Sequence, residues 1–384
     1  MRSRTAEGFV PNYRCGRVFF RGRVRGPSYA LRPPPAPSPL PSPTHPTPNP
    51  FFFNSAGGGK SVDRTEPPLA GRVLQQLHAK FNDTWIVEFL LDDLLDNLDW
   101  FWRKRVTPLG LIALGSDPVV NYTWEAGSVG AMQGARWESG LDNSPMYDGM
   151  WFDNSTHHME GADVGMSSLF VAEAAAVAAL ARAVNRSGDA DALDARAGGV
   201  RAQISTRLWD NARGIFANRF AIGGNTSLSA RIAPTSFYAL GARAATDVQA
   251  ARMANEWLFN ATRFCLSETW PAGVSPGCFW GLPSISADDP AFPPLGYWRG
   301  YVWGPMAQLV YWALGEYAHV PAVAAAKAAL AKQHGAMFLE QWRLHRNVCE
   351  NYSPKQGADG CTGTPFYSWG ALAALLQIQE RGLY

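Results

Sequence analysis

WIVEFLLDDLLDNLDWFWR, residues 85–103, is the stretch that shows most clearly how this chain folds. Apolar residues recur in it every three or four positions, so that one helix face collects Ile86, Phe89, Leu90, Leu94, Leu98 and Trp102. Similar spacing, or an alanine-rich composition, predicts helices over residues 73–81, 167–184, 189–208, 234–240, 246–259, 303–317, 320–344 and 368–380. Period-two alternation, which is typical of half-buried strands, is scarce. The sequence therefore predicts an all-α protein.

Composition allows a large buried core and argues against polyanionic partners. The chain has 384 residues, of which 47% are hydrophobic and 17% charged, enough for one large domain or two ordinary ones. Its net charge of +2 favours neither nucleic acid nor an anionic membrane surface. No apolar run is expected to reach membrane-spanning length, so no transmembrane segment is predicted.

The first 70 residues differ in composition from the remainder of the chain. Eight arginines and only one acidic residue, Glu7, fall within the first 32 positions, and ten of residues 33–50 are proline. Such a segment cannot bury enough apolar surface to fold. We therefore predict a disordered basic and proline-rich leader over residues 1–70 and a folded domain over 71–384. The leader is either an organelle transit peptide or an artefact of gene modelling.

Two long stretches between the predicted helices, residues 121–160 and 264–302, are rich in glycine, proline and aromatic residues. Loops of this length in a compact domain are usually functional. Several of the fifteen tryptophans lie in them, and an indole face suits the C–H patches of a sugar ring. A core position remains the simpler interpretation of any single tryptophan, but together they favour a carbohydrate ligand.

Two carboxylates stand in loop segments with different neighbours. Asp142 follows aromatic and small residues in WESGLDNSP (137–145), and Glu350 precedes a polar run in CENYSP (349–354). Glycoside hydrolysis needs a protonated carboxyl group as the acid and an ionised one as the base. An apolar environment favours the protonated form, and polar neighbours favour the ionised form. The alternative is that each carboxylate only caps a helix or braces a loop.

Three segments resemble glycoside hydrolase family 63. WESGLDNSP (137–145) looks like its acid motif, and YWRGYVWGP (297–305) resembles its Y-W-R-G-x-[VI]-W segment. CENYSP (349–354), with Gly357 and PFYSW (365–369), is similar to its E-x-Y…G…PF-x-W ending. The segments occur in the family's order over roughly residues 85–384. Because this family is similar to trehalases, the resemblance implies an (α/α)6 toroid.

The resemblance also implies roles for individual residues. Asp142 would be the general acid and Glu350 the general base of an inverting α-glycosidase, with carboxyl groups roughly 6.5–9.5 Å apart. Substrate would be bound by Trp137, Glu138, Trp298, Arg299 and Trp303. Glu138 either orients substrate hydroxyls or braces its loop.

No cofactor or metal is expected. The adjacent histidines His157 and His158 point apart on an extended segment, so they do not form a metal site by themselves. We expect Asp148, Asp153 and Asp163 to be structural.

The sequence also departs from the family. A complete toroid has twelve helices, whereas the pattern gives nine or ten, and no G-F-x-W-D segment is found near its start. The toroid is therefore expected to lack its first helices. A non-catalytic, sugar-binding remnant of a truncated barrel is the alternative from another class.

Two features bear on the substrate and the compartment. FWGLPSISADDP (279–290) looks closer to the mannosylglycerate hydrolase-like branch, which implies hydrolysis of a terminal α-linked glucose or mannose, as in mannosylglycerate or glucosylglycerate. N-glycosylation sequons favour a secretory route and, as the alternative, a mannosyl-oligosaccharide glucosidase that trims N-glycans. They begin at Asn82, Asn121, Asn154, Asn185, Asn225, Asn260 and Asn351.

The five cysteines allow two disulfides whose connectivity stays open. Cys265 and Cys278 are close in sequence, as are Cys349 and Cys361, while Cys15 lies in the leader. The sequence gives no indication of the oligomeric state.

Overall fold

The computed structural model describes residues 63–119, 127–222, 225–267, 278–355 and 360–383. These ranges contain ten α-helices: α1 Ala70–Phe81, α2 Thr84–Lys104, α3 Met132–Glu138, α4 Val164–Ala183, α5 Ser187–Arg207, α6 Tyr238–Gly241, α7 Asp247–Met253, α8 Gly304–Gly315, α9 Pro321–His345 and α10 Leu372–Glu380. Short 3₁₀ helices occur at Pro145–Tyr147, Pro234–Phe237 and Ser368–Ala371, and a π-helical turn at Ala254–Leu258. The mostly helical class is confirmed.

Helix α4 lies at the centre of the core. It packs against α1, α2, α5 and α6, and the Asp163 carboxylate caps its N-terminus by accepting a hydrogen bond from the Met166 amide at 2.6 Å. The prediction that no apolar run reaches membrane-spanning length is wrong for this helix, because its 20 residues are long and apolar enough. However, 83% of its most apolar window is buried inside the protein, so α4 is a core helix.

Helix α2 forms as predicted, but its most deeply buried side chains lie on an apolar stripe next to the predicted one. Its fully buried apolar side chains are Val87, Leu91, Leu94, Leu98, Trp100 and Phe101. Phe89, which was assigned to the buried face, is 42% exposed. The helix has two adjoining apolar stripes, and packing against α1 and α4 determines which of them is buried.

Nine short antiparallel strands decorate the connections between the helices: β1 Phe152–Asp153, β2 His158–Met159, β3 Gly161–Ala162, β4 Trp209–Asp210, β5 Ile215–Phe216, β6 Arg219–Ile222, β7 Asn225–Leu228, β8 Cys349–Tyr352 and β9 Cys361–Pro365. They form three two-stranded sheets, β1-β2, β4-β5 and β8-β9, and the three-stranded sheet β3-β6-β7. Strands of two to five residues leave almost no period-two pattern, so the sequence did not reveal them.

Each of the nine segments predicted to be helical contains a helix. The segment at 246–259 continues from α7 into the π-helical turn, and those at 234–240 and 368–380 begin as 3₁₀ helices. Helix α3 was not predicted, because its seven residues lie within a glycine-rich loop stretch. Closure of the helices into an (α/α)6 ring stays a prediction.

The folded domain begins earlier than predicted. Asp63, Arg64 and Thr65 are almost completely buried, and the Arg105 guanidinium donates a hydrogen bond to the Asp63 carbonyl at 3.0 Å. The predicted boundary of the leader at residue 70 is therefore too late, because residues 63–69 pack into the domain. Residues 1–62, with Cys15, lie outside the described part of the chain, as do Asn121, Glu268, Trp270 and Gly357.

Candidate active site

Asp142 lies in the loop that follows α3. The loop turns at Gly140, whose φ of 76° is in the left-handed region that glycine tolerates. The Asp142 side chain is only 5% exposed, and its main-chain carbonyl accepts a hydrogen bond from Gln133 Nε2 at 3.2 Å. Further along, the Tyr147 hydroxyl donates to the Asp163 carboxylate at 3.1 Å and so ties the loop to the start of α4.

Glu350 lies on strand β8 and is 1% exposed. Both of its carboxylate oxygens accept hydrogen bonds from uncharged donors. The Tyr297 hydroxyl reaches Oε1 at 2.9 Å, and the Thr364 amide of β9 reaches Oε2 at 2.9 Å. A disulfide between Cys349 and Cys361 joins the two strands, and the second disulfide joins Cys265 and Cys278. The connectivity left open by the sequence is thereby settled.

The segment at 296–303 connects the Asp142 loop with the Glu350 strand. Val302 and Tyr352 exchange backbone hydrogen bonds at 2.8 and 2.9 Å, which places this segment beside β8. On its other side, the Asn143 side chain accepts from the Trp298 amide at 2.9 Å and donates to the Gly296 carbonyl at 3.4 Å. The three segments that resemble family 63 are therefore neighbours in the fold.

The negative charges of both Asp142 and Glu350 act on the phenol of Tyr297. Burial contributes most to raising the pKa of its phenol well above the ordinary value, followed by the negative charges of Asp142 and Glu350 and by the hydrogen bond to Glu350. Its backbone has a φ of 54°, which is strained for a tyrosine. Such strain is often retained at functional sites. Asp142 and Glu350 both lie close enough to act on this one phenol.

Aromatic rings form a wall behind Tyr297. The indoles of Trp298 and Trp303 stack at 3.7 Å between centroids, with planes only 8° apart, and Trp303 Nε1 donates to the Tyr297 carbonyl at 3.2 Å. Trp369 meets Trp303 edge-on at 6.0 Å. Trp298 and Trp303 are 2% and 0% exposed, so they support the site from within the core.

Glu138 is enclosed by structural partners. It is fully buried, and its carboxylate accepts hydrogen bonds from Arg105 Nε at 2.7 Å, from the Gly115 amide at 2.7 Å and from the Thr65 amide at 3.0 Å. Of the two roles left open by the sequence, this geometry favours bracing the loop. The neighbouring Trp137 is half-buried, and the Arg64 guanidinium lies over its ring at 4.8 Å.

Both branches of the Arg299 guanidinium form hydrogen bonds with other residues of the protein. One branch of its guanidinium donates to the Asp148 carboxylate at 2.8 Å, and the other donates to the Asn143 carbonyl at 3.1 Å. Tyr297 and Asn143 were both missed as functional candidates, although each lies inside a motif. Their position inside a motif was the only feature that could have identified them, because their hydrogen-bond partners are distant in the sequence.

Comparisons with known proteins agree with this arrangement. A family model described as mannosylglycerate hydrolase MGH1-like glycoside hydrolase domain matches residues 25–370, and so begins inside the predicted leader. No curated protein sequence matches the chain significantly.

Similar solved structures show the fold. The mannosylglycerate hydrolase of family 63 from Thermus thermophilus, in complex with glucose, is 21% identical with a TM-score of 0.59, and 85% of this chain and 79% of that one are covered. A structure from the same organism, described as an uncharacterized conserved protein, is 20% identical with a TM-score of 0.60, and 86% of this chain and 80% of that one are covered. Neutral trehalase from Saccharomyces cerevisiae is 15% identical with a TM-score of 0.58, covering 83% and 62%.

The family match spans most of the chain, and the three motif segments lie together around Tyr297. A carbohydrate substrate follows from the family. The chain belongs to the mannosylglycerate hydrolase MGH1-like glycoside hydrolases, which are related in fold to trehalases.

Proposed function

We propose that the protein is an inverting α-glycosidase that releases a terminal α-linked glucose or mannose from a small aglycone such as glycerate. Asp142 is the general acid and Glu350 the general base. The observation that supports this assignment best is the Tyr297 phenol, which hydrogen-bonds Glu350 and also lies within the electrostatic influence of Asp142. Two buried carboxylates around one site match the requirement of glycoside hydrolysis.

Glu350 has the surroundings that a general base needs. An ionised carboxylate offers about four lone-pair sites, and the tyrosine hydroxyl and the Thr364 amide occupy two of them. These donors stabilise the charged form and fix the side chain. A remaining lone pair accepts the proton of a water molecule as the water oxygen attacks the anomeric carbon from the face opposite the leaving group.

Asp142 supplies the complementary proton. Its carboxyl group is buried, and burial favours the uncharged acid that proton donation requires. As the glycosidic bond breaks, the proton passes from Asp142 to the glycosidic oxygen, so the aglycone departs as an alcohol. The overall reaction consumes one water and inverts the anomeric configuration.

The sugar would stack on the aromatic side of the site. We assign Trp298 and Trp303 to the wall that shapes the subsite, and Trp137, which is half-buried, to direct contact with substrate. Aromatic rings combined with a few fixed polar groups are typical of ligand pockets.

The decisive experiment is NMR analysis of the first product formed from mannosylglycerate, glucosylglycerate and a glucosylated oligosaccharide. We expect one glycerate glycoside to release its sugar initially as the β-anomer. Release of the α-anomer would contradict inversion. Cleavage of the oligosaccharide alone would instead identify an N-glycan-trimming glucosidase.

Two variants test the assignment of the site. Asp142→Asn and Glu350→Gln should each slow release by about 10²–10⁴-fold, while Glu88→Gln, on the exposed face of α2, should retain it. Unchanged hydrolysis in either site variant would overturn that residue's role. Saturable binding without release in the unaltered protein would indicate the sugar-binding remnant.

A further inference from the structure

Asp148 lies six residues after Asp142 and is surrounded by arginines. Its Oδ2 accepts a hydrogen bond from Arg299 at 2.8 Å and lies 3.8 Å from Arg231 Nη2, while its Oδ1 accepts from Arg136 at 3.4 Å. Partial burial acts to raise the pKa of Asp148, but the hydrogen bond and charge of Arg299, with the other two arginines, outweigh it and lower the pKa. The carboxylate is therefore ionised and held by three cations.

Arg299 extends this contact to the residue next to the acid. Its second branch donates to the Asn143 carbonyl at 3.1 Å, and the Asn143 side chain binds the backbone at Gly296 and Trp298. Consecutive Cα atoms are about 3.8 Å apart, so fixing Asn143 also restricts Asp142. The group that fixes it belongs to the same segment as Tyr297, which binds Glu350.

Arg231 anchors the assembly to a further loop. It pairs with the buried Asp289 at 2.5 Å, and the second interaction of Asp289, with the Ala291 amide at 2.8 Å, holds that loop in shape. Asp148 thus joins the acid loop to segments near residues 231, 289 and 299. We call Asp148, Arg299 and Asn143 the acid clamp.

We propose that the acid clamp positions Asp142 for proton donation to the leaving oxygen, so that Asp148 and Arg299 are positioning residues. This rests on the proposed role of Asp142. A loop residue is held less firmly than one on a helix or strand, and misplacing a reacting group by about 1 Å can cost about 100-fold in rate. Glu350 lies on a paired strand, whereas Asp142 lies in a loop whose next residue, Asn143, is held by Arg299.

The test compares two substrates that share a sugar but differ in their need for an acid. The glycerate glycoside has a poor leaving group that must be protonated, whereas the α-glycosyl fluoride of the same sugar releases fluoride with little help. In Asp148→Asn and Arg299→Lys we expect kcat/KM for the glycerate glycoside to fall about 100-fold, with the value for the fluoride remaining within about threefold.

Controls separate the clamp from the acid itself and from folding. Asp153→Asn makes the same chemical change five residues further along the chain, where the carboxylate accepts hydrogen bonds from Ser155 and Thr156 of its own turn, and should affect neither substrate. Asp142→Asn should show the leaving-group dependence most strongly, and if it does not, the proposed function itself fails. Arg299→Lys retains a cation for Asp148, which protects the fold.

Two outcomes would overturn the clamp while leaving Asp142 as the acid. One is an equal loss on both substrates in the Asp148 and Arg299 variants, which a general structural role would produce. The other is unchanged activity on both substrates. A loss confined to the glycerate glycoside supports the proposal.

Discussion

Glu138 and Glu350 are both buried glutamates in motif segments, yet their partners differ in kind. Glu138 is paired with the fully buried Arg105 and with two backbone amides. Glu350 is held by a tyrosine hydroxyl and one amide. Among the residues that the structure describes, no cationic side chain forms an ion pair with Glu350. The first carboxylate is committed to a fixed charge pair, whereas the two described donors of the second leave lone pairs for the proton that the proposed general base would accept.

With Glu350 as the proposed base, the contrast implies that burial alone does not identify a catalytic carboxylate. Burial is the largest influence on the pKa of Glu138 and raises it, while Arg105 and the two amides oppose that effect. Because the arginine stays protonated and three donors point at the carboxylate, the pair stays charged. Such a pair maintains structure, and the kind of donor around a buried carboxylate is the better guide to function.

Replacing Glu350 tests the reactive side of this comparison and should have the largest effect. Glu350→Gln is expected to lower kcat by about 10²–10⁴-fold, because a general base contributes that much. The folded structure should persist, since an amide oxygen can still accept the Tyr297 hydrogen bond. Steady-state kinetics and thermal unfolding measure the two effects. A large loss of stability with little change in kcat would reverse the comparison.

Replacing Glu138 tests the structural side. Glu138→Gln removes the fully buried counter-charge of Arg105 and leaves its guanidinium paired with the partly exposed Asp117, so the free energy of unfolding should fall by up to about 3–5 kcal/mol. The folded fraction should keep most of its kcat. Urea unfolding measures the loss, and the double variant E138Q/R105M should regain part of it, because removing both charges avoids an unpaired ion. No recovery in the double variant would contradict this account.

Glu173 extends the comparison, because within the described ranges its carboxylate accepts hydrogen bonds from backbone amides and from no side chain. It sits in α4 and accepts from the amides of Gly71 and Arg72 at the start of α1. Burial raises the pKa of Glu173 from 4.5 to about 7. Between pH 4.5 and 7 the folded state therefore keeps a proton that the unfolded state releases, and stability falls as pH rises through this window.

The expected loss is about 3 kcal/mol between those limits, from about 1.4 kcal/mol per unit of pKa difference. Glu173→Gln should remove this contribution, so its free energy of unfolding, measured in urea, should vary less with pH than that of the unaltered protein. Equal slopes in the two proteins across pH 4.5–7 would show that Glu173 stays charged in the fold.

Tyr297→Phe should give the smallest of these effects. A hydrogen bond to a charged group contributes about 1.5–3 kcal/mol, so kcat/KM should fall by about 10–100-fold. Steady-state kinetics on the glycerate glycoside measure this loss. Tyr311→Phe is the matched control, because its hydroxyl binds a carboxylate, Glu380, at the far end of α10. Unchanged kcat/KM in Tyr297→Phe would show that the hydrogen bond to Glu350 does not contribute to the reaction.

Sequence patterns predicted the helices and pointed to Asp142 and Glu350 as candidates, but they did not indicate the partners of the buried carboxylates. Apolar periodicity predicted α2, because the residues that share one helix face lie only three or four positions apart in the sequence. The short strands depend on contacts between distant loops and leave no such pattern.

The partners of Arg299 and Glu138 could not be predicted for the same reason, because they are distant in the sequence. The partner of Arg299, Asp148, is 151 residues away, and that of Glu138, Arg105, is 33 residues away. A single sequence does not indicate which residues that lie so far apart will contact each other. Motif membership predicted the region of the site, and only the fold distinguishes Glu138, which is enclosed by structural partners, from the two carboxylates proposed to react.

Asn351 begins a sequon but is 1% exposed, and its side chain accepts a hydrogen bond from the Thr362 hydroxyl within the β8–β9 hairpin. Asn82, Asn154 and Asn185, by contrast, are exposed. In a compartment that adds N-glycans, a sugar on Asn351 would hold β8 and β9 apart, so hairpin closure and glycosylation compete for the nascent segment. Hairpins form in about 1–10 μs, but disulfide formation takes seconds or longer. Yield of active enzyme would then depend on the timing of these events, and peptide mass spectrometry of the folded fraction should find Asn351 unmodified.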